Sequence, residues 1–233
     1  MSAGVAAPPP KTGFPYRCFP LPLVRHEIVD PADAAAVTWL CGLLQAGRAD
    51  LYVEDEADLA LLPSLTRTWM RRGEQRRVEA PGTNEKRSVA AATDVADGTV
   101  LWEVDLARTA AQFGLMLQSC VQRSTSRRRL AILLVDNAQS HRVGKKGLLR
   151  KFMRANAGRV VLVFLPPYSP DLQPAERLWR QWRPSVTHNH TRRTIEELIA
   201  DSDAWFERQS KDPQAVLRAI GTIREARPYL IAA

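Results

Sequence analysis

At 233 residues the chain exceeds the usual domain of about 100–150 residues, and 45% hydrophobic with 25% charged residues gives it material for a sizeable core without disulfides or structural metal. Cys18, Cys41 and Cys120 lie far apart and form no CxxC pair, which predicts reduced thiols in a cytoplasmic protein and no zinc site. The opening MSAGVAAPPPKTGFP lacks the apolar centre of a signal peptide, and no apolar run reaches the roughly 18 residues of a membrane span. The net charge of +8 is uneven: Arg123–Arg193 holds 16 basic residues and three acids (Asp136, Asp171, Glu176), so this stretch is +13 and the remainder −5. A solvated basic face would explain such a bias, and so would a polyanionic partner whose phosphates release counterions on binding.

Residues 1–29 are rich in Pro, Ala and Gly and predict a flexible arm. Asp30 as N-cap and Pro31 at the first helical position open a leading helix over 30–48, with Val37, Leu40, Cys41 and Leu44 on one stripe and a stop near Gly47. Leu51–Val53 predicts a short buried strand ending at Glu54-Asp55-Glu56. A polar connection follows with Arg67, Trp69, Arg71, Arg72, Arg76 and Arg77 and a PGTN turn at 81–84. Ser88–Asp94 and Thr99–Val104 predict two strands joined by a hairpin at Ala96-Asp97-Gly98. An amphipathic helix over 109–121 carries Ala110, Phe113, Leu117 and Val121.

Leu130–Val135 is continuously apolar and predicts a strand buried on both faces, ending at Asp136. A basic helix over 147–156 leads to a second such strand over 160–165, and the loop Pro166-Pro167-Tyr168-Ser169-Pro170 cannot continue the sheet. Pro174 opens a helix with Ala175, Leu178, Trp179 and Trp182 on its apolar face, expected to end near Pro184. Thr194 and Glu197 form a capping box for the next helix, and Asp212-Pro213 opens the last, through Val216, Leu217, Ile220 and Ile223. This order implies an α/β protein with a mixed five-stranded sheet flanked by helices and extra C-terminal helices, and it matches the ribonuclease H-like fold. The division that follows is an arm at 1–29, a leading helix at 30–48, the sheet-bearing domain at 49–190, and C-terminal helices at 191–233 packed on it.

In that topology Asp55 ends the first strand, Asp136 ends the fourth, and Glu176 opens the helix after the fifth, so three acids meet at one sheet edge. Singly, an Asp after a strand is a turn residue and a Glu early in a helix stabilises its start. Clustered, like charges raise one another's pKa unless cations neutralise them. Two Mg²⁺ ions, with Mn²⁺ as substitute, about 3.5–4 Å apart would flank a scissile phosphate, activating the attacking oxygen and stabilising the leaving one. With Gln173 as cap and Pro174 first, Glu176 is the third helical residue, near the positive end of the dipole, which favours its ionised form.

VEDEADLALLP (53–63), TWMRRG (68–73), LLVDNAQSH (133–141) and LPPYSPDLQPAERLW (165–179) resemble the mariner-like DDE transposases of bacterial insertion sequences, over roughly residues 50–210. The resemblance implies a metal-dependent endonuclease and strand-transfer enzyme that cuts element ends and joins them to target DNA. Its catalytic and metal-binding acids fall on Asp55, Asp136 and Glu176. It implies double-stranded DNA as partner, a homodimer, and association with the bacterial nucleoid. Gln173 stands where the family usually has Asn. Members usually carry a helix-turn-helix region before the first Asp. Only about 50 residues precede Asp55 here, so the expectation is that this region comes from a separate subunit or an upstream frame. The competing expectation is a catalytically inactive DNA-binding remnant that represses transposition.

Arg67, Trp69, Arg71, Arg72, Lys145, Lys146 and Arg150 are the candidate DNA contacts, with Trp69 the DNA-facing aromatic. His141 joins them, either at DNA or in the metal's surroundings. Glu54 and Glu56 alternate with Asp55, so they point to the opposite strand face, behind the site or into solvent. His188 and His190 lack a third partner and read as a solvated loop, and Trp179 and Trp182 read as core.

Overall fold

A computed structural model describes residues 28–29, 34–74, 77–144, 147–165 and 173–221. The arm apart from Ile28–Val29, the Asp30-Pro31 helix start, Cys18, Arg76, Lys145, Lys146, the loop 166–170, Asp171 and Ile223 lie outside these.

Among the described residues six strands form one sheet: β1 (Ile28–Val29), β2 (Ala49–Ala60), β3 (Lys86–Asp94), β4 (Val100–Asp105), β5 (Leu130–Val135) and β6 (Val160–Phe164). Their order is β1-β6-β5-β2-β3-β4. The five expected strands are joined by β1, a two-residue edge strand parallel to β6 that the sequence did not signal. β2, β3 and β4 are antiparallel, while β5 pairs parallel with both β2 and β6, so the sheet is mixed.

β2 is far longer than the three residues its apolar run suggested. Over Ala49–Val53 it pairs with β5, and from Tyr52 to Ala60 it is held by β3. The ladder hydrogen bonds of β3 carry it through the acidic run, where propensity alone would end it.

The helices are α1 (Ala34–Gln45), α2 (Ala110–Ser126), α3 (Leu148–Ala155), α4 (Ala175–Val186), α5 (Ile195–Ser210) and α6 (Pro213–Ile220). Alternation along the strands divides the core in two. Leu51, Val53, Ile132, Leu134, Val161 and Val163 face a cluster containing residues of α1, α4, α5 and α6. Tyr52, Leu133, Val135, Val160 and Leu162 face α2 and α3. Both β5 and β6 are therefore covered on both sides, as their continuous apolar runs required.

Local signals set several helix ends. Thr194 Oγ1 accepts from Glu197 N at 3.3 Å, and Glu197 Oε2 accepts from Arg193 N at 2.9 Å. Asp212 Oδ1 accepts from Ala215 N at 3.0 Å to start α6 at Pro213. α4 runs two residues past Pro184, and its last turn closes as Thr187 N and His188 N donate to Arg183 O at 2.9 and 3.0 Å. α5 packs beside β4 through Trp102, which stacks on Phe206 with centroids 5.3 Å apart and donates to Asp203 at 3.0 Å.

The basic run at 123–129 does not all face solvent. Arg127 and Arg129 bond the fully buried Asp50 at 3.4 and 2.8 Å, and Arg127 also bonds the fully buried Asp94 at 3.0 Å. Arg123 bonds Asp97 at 2.6 Å in the β3–β4 turn. Part of the positive charge counted along the sequence is thus neutralised inside the protein.

Candidate active site

The register that pairs Val53 with Leu134 brings Asp55 level with Asp136, the first residue after β5. Asp55 lies in the middle of β2, not at its end, but it stands where β5 stops, which gives it the same edge position. Glu176 is the second residue of α4, one earlier than the sequence suggested. The helix is tied to Asp55 directly: Trp179, one turn after Glu176, donates from Nε1 to Asp55 Oδ2 at 3.1 Å. Trp179 is itself locked in the core, edge-on to Trp182 at 5.3 Å and to Phe206 at 6.2 Å.

Gln173 does not cap α4. Its side chain is buried and donates from Nε2 to the Glu54 backbone oxygen at 2.9 Å, pinning the start of α4 to β2 beside Asp55. Its backbone oxygen accepts from Glu176 N at 3.2 Å and opens the helix. Arg183 Nη1 lies 3.2 Å from Glu176 Oε2 and steadies that carboxylate from the next turns of the helix.

Asp55 feels the charge of both other acids. Burial raises the Asp55 carboxyl, and the charges of Asp136 and Glu176 raise it further against hydrogen bonds from Glu56 N and Trp179, leaving it at about 7. Asp136 moves the other way: a hydrogen bond from His141 holds it below the ordinary carboxylate value, helped by Ala138 N at 2.8 Å. Such an acid group is unfavourable by itself, and a hard divalent cation bound by these oxygens removes the repulsion. The donor set therefore fits Mg²⁺ or Mn²⁺.

Behind Asp55, Glu54 and Glu56 point to the α2 face, and both are buried. The expectation that they might face solvent fails because α2 and the turn at Gln139–His141 cover that face. His141 is fully buried, which corrects its assignment as a DNA contact. Its Nδ1 is 2.8 Å from Asp136 Oδ1, and its Nε2 is 3.3 Å from Glu56 Oε1 and 3.6 Å from Glu54 Oε2. Burial opposes a charge on the ring, but Asp136, Glu56 and Glu54 outweigh it and raise the imidazole to about 11. Glu54 is pushed well above its ordinary value by burial, against the pull of His141. Among the described residues, the acidic and histidine ligand atoms that gather within 4.8 Å of one another belong to Glu54, Glu56 and His141. The alternation of Glu54, Asp55 and Glu56 was legible in the sequence; their pairing with a histidine 85 residues on was not.

Arg67, Arg71 and Arg72 are exposed, and Trp69 is 101% exposed. This segment is anchored at its base: Ser64 N donates to Thr187 O at 3.0 Å, and Thr66 N donates to Asn189 Oδ1 at 3.0 Å. Beyond the anchor, Arg67, Trp69, Met70 and Arg77 line an open hollow of about 900 Å³. Arg150 lies half-buried on α3. His188 and His190 sit half-buried in the loop after α4, and His190 Nδ1 accepts from Arg192 N at 3.2 Å. Trp179 and Trp182 are core.

The model of the DDE superfamily endonuclease family matches residues 50–199. A Shigella sonnei protein described as "Insertion element IS630 uncharacterized 39 kDa protein" is 30% identical over 164 residues, which span 70% of this chain and 46% of that protein. The chain thus spans less than half of that curated relative. Among solved structures, the Mos1 mariner paired end complex with Mn is similar at TM-score 0.60 and 17% identity, covering 85% of this chain and 60% of that one. The Mos1 paired end complex with Mg is similar at TM-score 0.57 and 18% identity, covering 100% and 66%. These structural likenesses bear on the fold, whose helix-flanked mixed sheet is ribonuclease H-like. With the family match running from the start of β2 into α5, the chain belongs to the DDE superfamily of endonucleases.

Proposed function

We propose that this chain is the catalytic domain of an insertion-sequence transposase, a metal-dependent DNA endonuclease and strand transferase acting at the element's ends. Asp55, Asp136 and Glu176 are its metal ligands and hold two Mg²⁺ ions, with Mn²⁺ as substitute. The observation that carries this reading is the β2–β5 register that sets Asp55 level with Asp136, with Trp179 tying Asp55 to the helix that bears Glu176. The Mos1 paired end complexes with Mn and with Mg agree with the oxygen donor set.

When bound, the ions supply an activated oxygen nucleophile and charge stabilisation at the leaving oxygen. The chain's own residues do the rest. Trp179 and Gln173 hold β2 and α4 at fixed separation, so that Asp55 and Glu176 face one another. Arg183 keeps Glu176 oriented. Arg67, Arg71 and Arg72, with Lys145, Lys146 and Arg150, neutralise phosphates, and Trp69 offers an exposed ring for an unpaired base. Phosphate contacts position a protein without reading bases. In this reading end-specific recognition comes from a helix-turn-helix module, in a separate subunit or an upstream frame.

The test is nicking of supercoiled plasmid in millimolar Mn²⁺ by wild type and Asp136→Asn, with duplex binding measured alongside. Wild type should nick; the variant should bind as well or better, one negative charge having left the site, and should not nick. Nicking by Asp136→Asn at the wild-type rate would show the assignment to be wrong.

A further inference from the structure

Asp136 has 47% of its side chain open, against 35% for Glu176, and follows the end of a strand where nothing in the ladder fixes its carboxylate. A ligand free to rotate binds a cation poorly, because ordering it at the moment of binding costs side-chain entropy. Yet both polar contacts to its side chain fall on one oxygen, Oδ1: His141 Nδ1 at 2.8 Å and Ala138 N at 2.8 Å. Oδ2 is left as the atom available to a cation.

His141 is in turn enclosed on both sides of its ring. The turn Gln139–His141 carries it back under β5, and Phe113 of α2 packs on its ring with centroids 4.2 Å apart. Its far nitrogen sits between Glu56 and Glu54, which are fixed by the β2–β3 ladder through Glu54–Ala92 and Glu56–Ala90. Two buried carboxyl groups on one strand face need a polar partner, and the His141 ring is the group set between them. Asp55 and these glutamates alternate on a single strand. β2 thus contributes a candidate metal ligand on one face and, on the other, the support for the ligand offered by β5.

We propose that His141 is a positioning residue: clamped by Glu54 and Glu56, it orients the Asp136 carboxylate through Nδ1 and thereby sets the cation affinity of the site on the opposite face of β2. The proposal rests on the reading of Asp136 as a metal ligand. Partners behind a metal's direct ligands typically alter affinity 10–100-fold when removed.

The experiment is Mn²⁺ binding to the full chain without DNA, followed by the loss of the free-ion paramagnetic resonance signal. Replacing the ring alone would strand two buried glutamates and could unfold the protein. The informative comparison is therefore His141→Leu within a Glu54→Gln, Glu56→Gln background against that background itself, both checked by melting temperature. We expect the leucine variant to bind Mn²⁺ roughly 10–100-fold more weakly than the background. His141→Asn in the same background should recover most of that loss, since its amide nitrogen replaces Nδ1 as donor to Oδ1, while a merely structural role would show no such rescue. Asp136→Asn is the control for the site. If Asp136→Asn weakens Mn²⁺ binding and His141→Leu does not, the positioning role is wrong and the metal assignment survives. If Asp136→Asn leaves binding unchanged, the metal assignment itself falls. A stoichiometric ion that persists in Asp55→Ala, Asp136→Ala and disappears with Glu54→Gln would overturn the proposal by making the buried cluster a cation site of its own.

Discussion

The indole nitrogen of Trp179 donates to Oδ2 of Asp55 at 3.1 Å, so a core aromatic of α4 sets the position of an acid at the centre of β2. The contact joins two parts of the chain 124 residues apart and makes the packing of α4 on the sheet a determinant of site geometry.

Trp179→Phe should separate these roles. The ring still packs against Trp182 and Phe206, but the donor is gone. Stability should fall by about 1–2 kcal/mol, from one lost hydrogen bond and a small cavity. Mn²⁺ affinity should fall by roughly tenfold. Unchanged metal affinity in a folded variant would show that the indole does not support Asp55.

Asp97 gives a pH signature away from the site. Burial raises its carboxyl, but hydrogen bonds from Arg127 and Thr99 outweigh burial and hold it at about 2, below the ordinary 3.8. A depressed value stabilises the fold above the unfolded pKa, and the contribution is lost as pH falls through the folded one. Asp97→Asn should therefore be less stable than wild type by about 1 kcal/mol at pH 5–7, the part-exposed pair being screened by solvent. The gap should close between about pH 4 and 2. Denaturant melts across that range check this, and a gap that widens on acidification would reverse the sign argued here.

Gly98 closes the β3–β4 hairpin at φ +75°, and a Cβ there would lie 2.2 Å from the Pro213 backbone oxygen at the start of α6. Gly98→Ala combines a left-handed backbone with a clash against main chain. It should cost about 2–3 kcal/mol and lower the melting temperature by roughly 5–10 °C. A shift under 2 °C would mean that α6 moves away freely, and that its packing on the hairpin contributes little.

Replacing Arg67, Arg71 and Arg72 together with Gln should leave melting unchanged, since all three are exposed. Duplex affinity should drop, and the slope of log affinity against log salt should fall by roughly 2–3. Trp69→Ala should weaken single-stranded binding by about 1–3 kcal/mol with little change in that slope. An unaltered salt dependence in the triple variant would place the phosphate path elsewhere on the chain.

Much of the fold was legible locally. The apolar runs at 130–135 and 160–164, the Asp-Gly hairpin, the Thr194–Glu197 box and the Asp212-Pro213 start each became the element expected, because side-chain period and capping are properties of neighbours in sequence. Asp136 and Glu176 could be nominated for the same reason, each standing at the boundary of an element that the pattern defines, and Asp55 because it follows an apolar run, although β2 continues past it. The length of β2 could not be read, since its second half exists only through pairing with β3. Nor could the roles of Gln173, bonded to a backbone oxygen 119 residues away, or of Arg127 and Arg129, drawn to the buried Asp50. His141 is the sharpest case. In sequence it is a polar loop residue after an acid, and only the alternation of β2 against the turn beneath β5 encloses it between Glu54, Glu56 and Asp136. Short-range periodicity by itself determined most of the elements and nominated the acids beside them. Tertiary register decided which charges are buried together, because buried charges must find partners and those partners lie far away along the chain.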